Sequence, residues 1–302
     1  MIQKYVDKLI KNLPKQSKTS QKLDIVFDGG AFNGSYLVGA AYFLESMESK
    51  SYIKIERISA CSVGSFVSLL YVADRLEIFT DLYQMLMNHF KSNHQLNNFD
   101  AICKKIEPKL PKNICKLMTN KVYITFYDLK KNKKIVKHKY KSLHDIFDTI
   151  YKSSFVPFLM DGNILHKGRY FDGVSPFIFK KEPDKKILFL DLFGYDKIGN
   201  LLNIKNEKTN YHRILSGLLD IHDFYIKQSN THMCSYVNDW GISNQTHFII
   251  KKLVEYFVLY FIHAYIYLKN NIPDFLHDNI ISKILAKIMK DIYIILIENY
   301  CF

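Results

Sequence analysis

The stretch that most restricts the fold runs from residue 53 to residue 73, Ile-Lys-Ile-Glu-Arg-Ile-Ser-Ala-Cys-Ser-Val-Gly-Ser-Phe-Val-Ser-Leu-Leu-Tyr-Val-Ala. Ile53, Ile55 and Ile58 give its first part the character of a buried strand, and from Ser65 on it reads as a helix with no charge before Asp74. Ser62 stands at the join, between Cys61 and Val63-Gly64. A strand that turns straight into a helix at a serine pushes the hydroxyl out of the sheet, beside the positive end of the helix. A hydrolase needs its nucleophile there. Small residues also fill ordinary strand-to-helix turns, and taken alone this stretch is better described as such a turn.

Its neighbours change that balance. Residues 2–12 fit a short amphipathic helix, followed by a polar linker from Pro14 to Lys22. Leu23-Asp24-Ile25-Val26-Phe27 is an apolar run suited to a buried strand, and it leads directly into Asp28-Gly29-Gly30-Ala31-Phe32-Asn33-Gly34. The chain holds only 12 glycines in 302 residues, so three in one loop carry information. Leu37, Ala40, Ala41, Phe43 and Leu44 then fit a buried or amphipathic helix. Strand, glycine loop, helix, strand, serine turn, helix is the opening of an α/β domain with a largely parallel sheet.

Further along, residues 75–118 are helix-like, with a basic tail and prolines at 108 and 111. Residues 122–127 are strongly strand-forming, and the alternation over 134–140 predicts their hairpin partner across 129–132. A helix is expected over 142–152. A second hairpin is expected from 155–160 and 164–171 around Asp161-Gly162-Asn163, ending at Asp172-Gly173. Residues 187–192 read as another buried strand, and from about Asn210 the pattern is helical, over 210–237, 246–269 and 276–298. The expected organisation is an N-terminal helix and linker over 1–22, an α/β domain over 23–205, and a helical C-terminal region over 206–302 packed on it.

Charge and cysteine usage narrow the setting. The net charge is +13, which favours anionic partners. The densest basic belt comprises Lys104, Lys105, Lys109, Lys112 and Lys116 with the lysines between 130 and 141, and no nucleic-acid motif accompanies it. A solvated face is the first reading, an anionic membrane surface the second and nucleic acid the third. The five cysteines are odd in number and lack a C-x-x-C spacing, which argues for a reducing compartment and against structural zinc. With Lys4, Asp7 and Lys8 in place of a signal-peptide apolar core, an intracellular, cytoplasmic location is expected, with peripheral membrane association as an option. Residues 253–268 are apolar and aromatic apart from Glu255 and His263. A membrane span needs about 20 apolar residues, so a packed helix is the first reading and an interfacial segment the second.

Three sites thus fall at the ends of predicted strands: the glycine loop, Ser62 and Asp172-Gly173. Glycines let backbone N–H groups turn toward one point, as a phosphate cradle or an oxyanion hole, and the absence of a following Gly-Lys-Ser/Thr excludes a P-loop. Each site alone is at least as well explained as a turn; all three in this order point to function. Together they resemble the patatin-like phospholipases, in which a loop D/S-G-G-G-x-R/K-G follows the first strand, a G-x-S-x-G elbow the next, and Asp-Gly-Gly/Ala completes a serine–aspartate dyad. The corresponding residues are Asp28 to Gly34, Ala60-Cys61-Ser62-Val63-Gly64 and Asp172-Gly173-Val174. Ser153-Ser154-Phe155-Val156-Pro157-Phe158 is similar to the family's Ser-Ser-x-x-Pro segment, and the resemblance covers roughly residues 23–195.

The resemblance implies a mostly parallel central sheet flanked by helices, and a lipid acyl hydrolase, phospholipase A-like, that needs neither cofactor nor metal. It implies Ser62 as nucleophile, Asp172 as general base with a pKa raised by burial, and the Gly29, Gly30 and Ala31 backbone as oxyanion donors. His166, six residues from Asp172, is the nearest rival base in sequence, and an extended strand would put it roughly 20 Å away on the surface. The chain departs from the family pattern at Ala31, Asn33, Ala60 and Val174. Asn33 removes a fixed positive charge, which is expected to affect the choice of anionic head group. These departures keep open a second reading, a weakly active or inactive relative that binds acyl lipid or membrane. A nucleic-acid-binding protein rests on charge alone.

Overall fold

The computed structural model describes residues 2–14, 20–194, 196–271 and 280–301. Two compact units make up the chain: Met1–Leu202 with Glu207–Trp240, and Asn203–Asn206 with Gly241–Phe302. The boundary at Trp240 lies later than the change in composition near Asn210.

The first unit opens with α1 (Ile2–Lys11), which buries Val6 and Ile10, one helical turn apart. Part of the expected linker, residues 15–19, lies outside the described residues, and Gln21 already belongs to β1 (Gln21–Phe27). Leu23 to Phe27 are all buried, as in a strand covered on both faces. Asp24, buried in this apolar run, is paired with Arg57 across a register shift between the first two strands. The glycine loop then passes through a short 3₁₀ turn, Ala31–Asn33, into α2 (Gly34–Ser49). β2 (Ile53–Ala60) and α3 (Val63–Val72) follow. Residues 75–118 break into α4 (Phe79–Asn93), α5 (Phe99–Ile106) and α6 (Ile114–Met118). The rest of the unit comprises β3 (Val122–Asp128), β4 (Lys133–Lys137), α7 (Leu143–Ser153), β5 (Tyr170–Asp172), β6 (Lys186–Leu190), α8 (Tyr211–Lys227) and β7 (Cys234–Tyr236). The fold is α/β, with a mixed, mostly parallel sheet flanked by helices.

The sheet runs β4-β3-β2-β1-β6-β7. The central pairs β3/β2, β2/β1 and β1/β6 are parallel, and β4, β5 and β7 add antiparallel. β3 sets the geometry of the candidate site. Its first half pairs with β2, Ala60 opposite Ile124, and its second half pairs with β5, Asp172 opposite Phe126. β4 occupies the other edge over the same residues. The ends of β2 and β5 therefore meet on one side of β3, about 7 Å apart by strand rise.

The expected hairpin over 155–171 does not form. Pro157 cannot donate to a ladder, and Phe158, Gly162, Lys167 and Gly168 all have positive φ, so the segment loops and turns back. Only Tyr170–Asp172 reaches a free edge, on β3, and His166 makes a single bridge to Tyr170. The helix expected over 210–237 ends at Lys227, and β7 follows as a strand too short to show alternation.

α2 and α8 cross with their backbones in contact. A Cβ on Gly39 would strike the Ile214 carbonyl, and one on Gly217 would strike the Tyr36 carbonyl. This fixes where the start of α8 lies relative to the glycine loop.

The second unit contains α9 (Ile242–Asn271) and α10 (Ile280–Cys301), and the Ile204 N–H donates to the Cys301 carbonyl at 2.8 Å. Residues 276–279 of the last expected helix lie outside the described residues. Over 253–268, Leu253, Val254, Tyr256, Phe257, Tyr260, Phe261, Tyr267 and Leu268 are exposed, whereas Glu255 and Ile262 are buried. Among the described residues no helix is long and apolar enough to cross a membrane.

Gly217→Ala is expected to destabilise the protein by about 3 kcal/mol, the upper end of the usual cost of overpacking, because the backbone it meets cannot move aside. The shift in urea midpoint measures it, and an unchanged midpoint would show that the two helices can separate at no cost.

Candidate active site

Ser62 occupies the turn between β2 and α3 with φ 50° and ψ −131°, a conformation that costs a non-glycine residue about 1–3 kcal/mol. Neighbouring groups hold it there. The Ser62 N–H donates to the Ser153 carbonyl at 3.1 Å and to Ser153 Oγ at 2.9 Å. Ser153 Oγ in turn donates to the Thr125 carbonyl at 2.6 Å and lies 3.1 Å from Ser65 Oγ. The Ser-Ser-x-x-Pro segment thus anchors the serine turn from the end of α7. Gly64 lets the start of α3 close on the first strand: a Cβ there would lie 2.6 Å from the Asp28 carbonyl oxygen.

Asp172 arrives from the opposite direction, on the β3 edge that β2 vacates after Ala60. Its N–H donates to the Phe155 carbonyl at 3.0 Å, and its Oδ1 accepts the Val174 N–H at 2.9 Å, which fixes the carboxylate plane. The turn passes Gly173 and Val174 and packs on the residue before Ser62, with Cys61 Sγ 3.8 Å from the Val174 carbonyl oxygen. Val174 has φ 57°, a costly state for a β-branched residue. Ser62 and Asp172 are both mostly buried, at 7% and 9% exposure.

The glycine loop closes a third side. The buried Asp28 carboxylate accepts the Gly29 N–H at 2.9 Å and the Leu192 N–H at 3.4 Å. The Phe32 N–H goes to the Leu201 carbonyl at 3.0 Å and the Asn33 N–H to the Gly30 carbonyl at 2.8 Å. Among the described residues, no hydrogen-bond acceptor accompanies the N–H groups of Gly30 and Ala31. The Gly29 donor expected from the sequence is thus occupied by Asp28. Ala31 takes φ 45°, so its methyl does not prevent the glycine-like conformation. Asn33 is fully buried and turned away from the cavity. Its Nδ2 donates to the carbonyls of Leu192 at 3.2 Å and Lys197 at 2.8 Å, and its Oδ1 accepts from Arg213 at 2.8 Å. The expectation that residue 33 meets a substrate head group is corrected accordingly: its amide is a structural tie.

Ser62, Val63 and Ala31 open onto a cavity of about 110 Å³. Phe32, Phe66, Phe79, Leu82, Leu96, Phe99, Ile102 and Met160 line it, and the polar wall residues are Ser62, Ser154 and Tyr83. Such a space takes a hydrocarbon chain and repels a charged group. The Tyr83 hydroxyl is bound to Glu207 Oε2 at 2.5 Å, and burial holds its pKa well above the usual tyrosine value.

His166 is not the distant surface residue that strand arithmetic suggests, because the chain turns back on itself between His166 and Tyr170. Its ring packs on Tyr151 and Phe155, with centroids 4.7 and 5.6 Å away, and Nε2 is buried without a hydrogen-bond partner. Burial, followed by the charge of Lys167, lowers its pKa. Among the described residues no His, Cys, Asp and Glu cluster could hold a metal ion.

A serine on a left-handed turn between strand and helix, beside an apolar cavity, is the build of α/β serine hydrolases. The family model for patatin-like phospholipases matches residues 25–177, half of the chain, and the protein belongs to that family, which is generally made of serine acyl hydrolases. No curated protein matches the chain significantly.

Val174→Gly is expected to stabilise the protein by about 1 kcal/mol, because it removes a left-handed β-branched residue at a cost the unfolded chain only partly offsets. Chemical denaturation of the two proteins measures this; a less stable variant would mean that the valine side chain contributes more packing than its backbone costs.

Proposed function

We propose that the protein is a lipid acyl hydrolase that cleaves acyl esters, phospholipids included, through Ser62 and Asp172. The observation that carries this reading is the convergence at one end of the sheet. A strained serine turn and the Ala31 loop open onto an apolar cavity, an aspartate turn ends on the β3 edge that β2 vacates, and among the described residues the Gly30 and Ala31 N–H groups have no acceptor. An acyl chain lies in the cavity with its ester carbonyl at Ser62. Ser62 Oγ bonds to the carbonyl carbon while its proton passes to the Asp172 carboxylate, and the N–H groups of Gly30 and Ala31 receive the oxyanion. Collapse breaks the ester bond, and the departing alcohol takes the proton from Asp172. Water then attacks the acyl-enzyme with Asp172 again as base, releasing the fatty acid and restoring Ser62. Val174 N–H orients the Asp172 carboxylate throughout. The left-handed Ala31 favours this reading over an inactive lipid binder, since the alanine keeps the loop conformation that donor groups require.

The partner surface follows from charge and exposure. α9 presents Ile249, Leu253, Tyr256, Tyr260 and Tyr267 along one exposed stripe, and α10 presents Ile284, Ile288, Ile292 and Ile295 along another. Stripes of this kind on a chain of net charge +13 suit an anionic lipid surface, bound peripherally.

A serine-directed fluorophosphonate is expected to label Ser62, and Ser62→Ala is expected to abolish labelling and ester hydrolysis in a folded protein. Asp172→Asn is expected to lower kcat by about 10²-fold or more, as for loss of a general base. Wild-type hydrolysis by Ser62→Ala would end the assignment. Binding to anionic vesicles is expected to weaken as salt rises, since surface charge is screened over about 8–10 Å at physiological ionic strength. Equal, salt-independent binding to neutral vesicles would remove the electrostatic part of the proposal.

A further inference from the structure

Arg213, in the first turn of α8, is the largest fully buried side chain among the described residues, at 1% exposure. Its Nη1 donates to Asn33 Oδ1 and to the Asn200 carbonyl, both at 2.8 Å. Its Nε and Nη2 donate to Glu207 Oε1 at 2.9 and 2.6 Å. The other oxygen of Glu207 accepts the Tyr83 hydroxyl. Burying a guanidinium and a carboxylate is costly, and a well-packed apolar pair of similar volume is often at least as stable. Fold stability alone is therefore a weak reason for this pair.

Its two ends show what it reaches. One end ties the Asn33 amide, which closes the loop carrying Gly30 and Ala31. These residues have φ 155° and 45°, so the loop needs outside contacts to keep its shape. The other end ties Tyr83, a wall of the cavity, whose ring meets Phe32 of the same loop at 5.4 Å with planes 73° apart. The backbone contact of Gly39 and Gly217 sets α8 at the height that makes both ties possible. Arg213, Glu207 and Asn33 do not themselves line the cavity.

We propose that Arg213 and Glu207 are positioning residues, which hold the Gly30–Ala31 donors and the Tyr83 wall in one fixed relation through Asn33. The proposal rests on the hydrolase reading above for its catalytic consequence, and on the geometry alone for its effect on the loop. Arg213 acts through Asn33, so its loss moves the donors without removing them and leaves the apolar chain contacts largely in place. The rate of the chemical step then falls while ester binding changes little. Lysine at 213 keeps the charge but has no planar fork to reach Asn33, Asn200 and Glu207 together.

The test compares the full chain with Arg213→Gln, Arg213→Lys and Asn33→Ser. Asn33→Ser cuts the tie to the loop while leaving the Arg213–Glu207–Tyr83 chain intact, and it decides the matter if Arg213→Gln fails to fold. Three quantities are read together: steady-state hydrolysis of p-nitrophenyl butyrate, amide hydrogen exchange of residues 28–34 against β1 and β2, and thermal unfolding. In Arg213→Gln and Asn33→Ser, amides of 28–34 are expected to exchange about 10-fold faster with the strands unchanged, as for a local opening. kcat is expected to fall about 10–100-fold with KM within about 2-fold, somewhat less than the loss of a whole oxyanion donor. Arg213→Lys is expected to recover only part of kcat. Wild-type exchange and wild-type kcat in a folded variant would overturn the proposal. So would exchange that rises equally through the sheet, with kcat falling only as the folded fraction does. A wild-type chain that hydrolyses nothing would remove the hydrolase reading, and loop exchange would still decide whether Arg213 positions the loop.

Discussion

The candidate site depends on β3 serving two partners along one edge. β2 covers that edge as far as Ile124 and then leaves the sheet at Ser62, because a serine with φ 50° cannot continue the strand. The vacated backbone from Phe126 to Asp128 would be an unpaired buried edge, and β5 fills it from the opposite direction. Turning a strand out of the sheet at Ser62 and bringing in Asp172 on the same edge are thus one structural event. Thr125 joins the halves, since its carbonyl receives Ser153 Oγ and is the nearest atom to a Cβ built on Gly173, at 2.6 Å.

The same end of the sheet collects backbone strain. Ala31, Ser62 and Val174 all have positive φ, in three different segments, and none is a glycine. At about 1–3 kcal/mol each, these conformations persist only where the surroundings over-determine them. Ser62 is held by Ser153, Val174 by the Asp172 carboxylate, and the Ala31 loop by the Leu201 carbonyl and the Asn33 ties. The departures from the family pattern at Ala31 and Val174 therefore bear on stability more than on geometry: the backbone goes where glycine would go and bears a steric cost.

This division explains what could be read in the sequence. β1, α2, β2, α3, β3 and β4 show as clear periodic runs bounded by glycine or turn residues, and the family pattern names Ser62, Asp172 and the loop directly. The groups that hold those residues leave no comparable trace. Ser153 could be flagged only as part of a motif, because its bonds to Ser62 and Thr125 cross long sequence distances. Arg213 has no signal at all in a lysine-rich chain, where one more basic residue on a helix reads as surface. The expected 155–171 hairpin went astray for a related reason. Alternating apolar residues suggested a strand, while Pro157 and the left-handed positions at 158, 162, 167 and 168 dictated a loop.

Exposure in the second unit reverses ordinary helix logic. Along α9, Lys251 and Glu255 are buried while Tyr256, Phe257 and Tyr260 are 67–74% exposed. With Lys251 and Glu255 covered and these rings turned out, α9 carries the pattern behind the proposed contact with an apolar–polar boundary. Length, with Glu255 and His263, argues against a span and leaves a packed helix and an interfacial one. Periodicity could not show which face would be turned out, because a packed helix and an interfacial helix share the same 3.6-residue repeat. The distinction rests on exposure, and the exposed apolar stripe is the feature of α9 on which the proposed lipid contact rests.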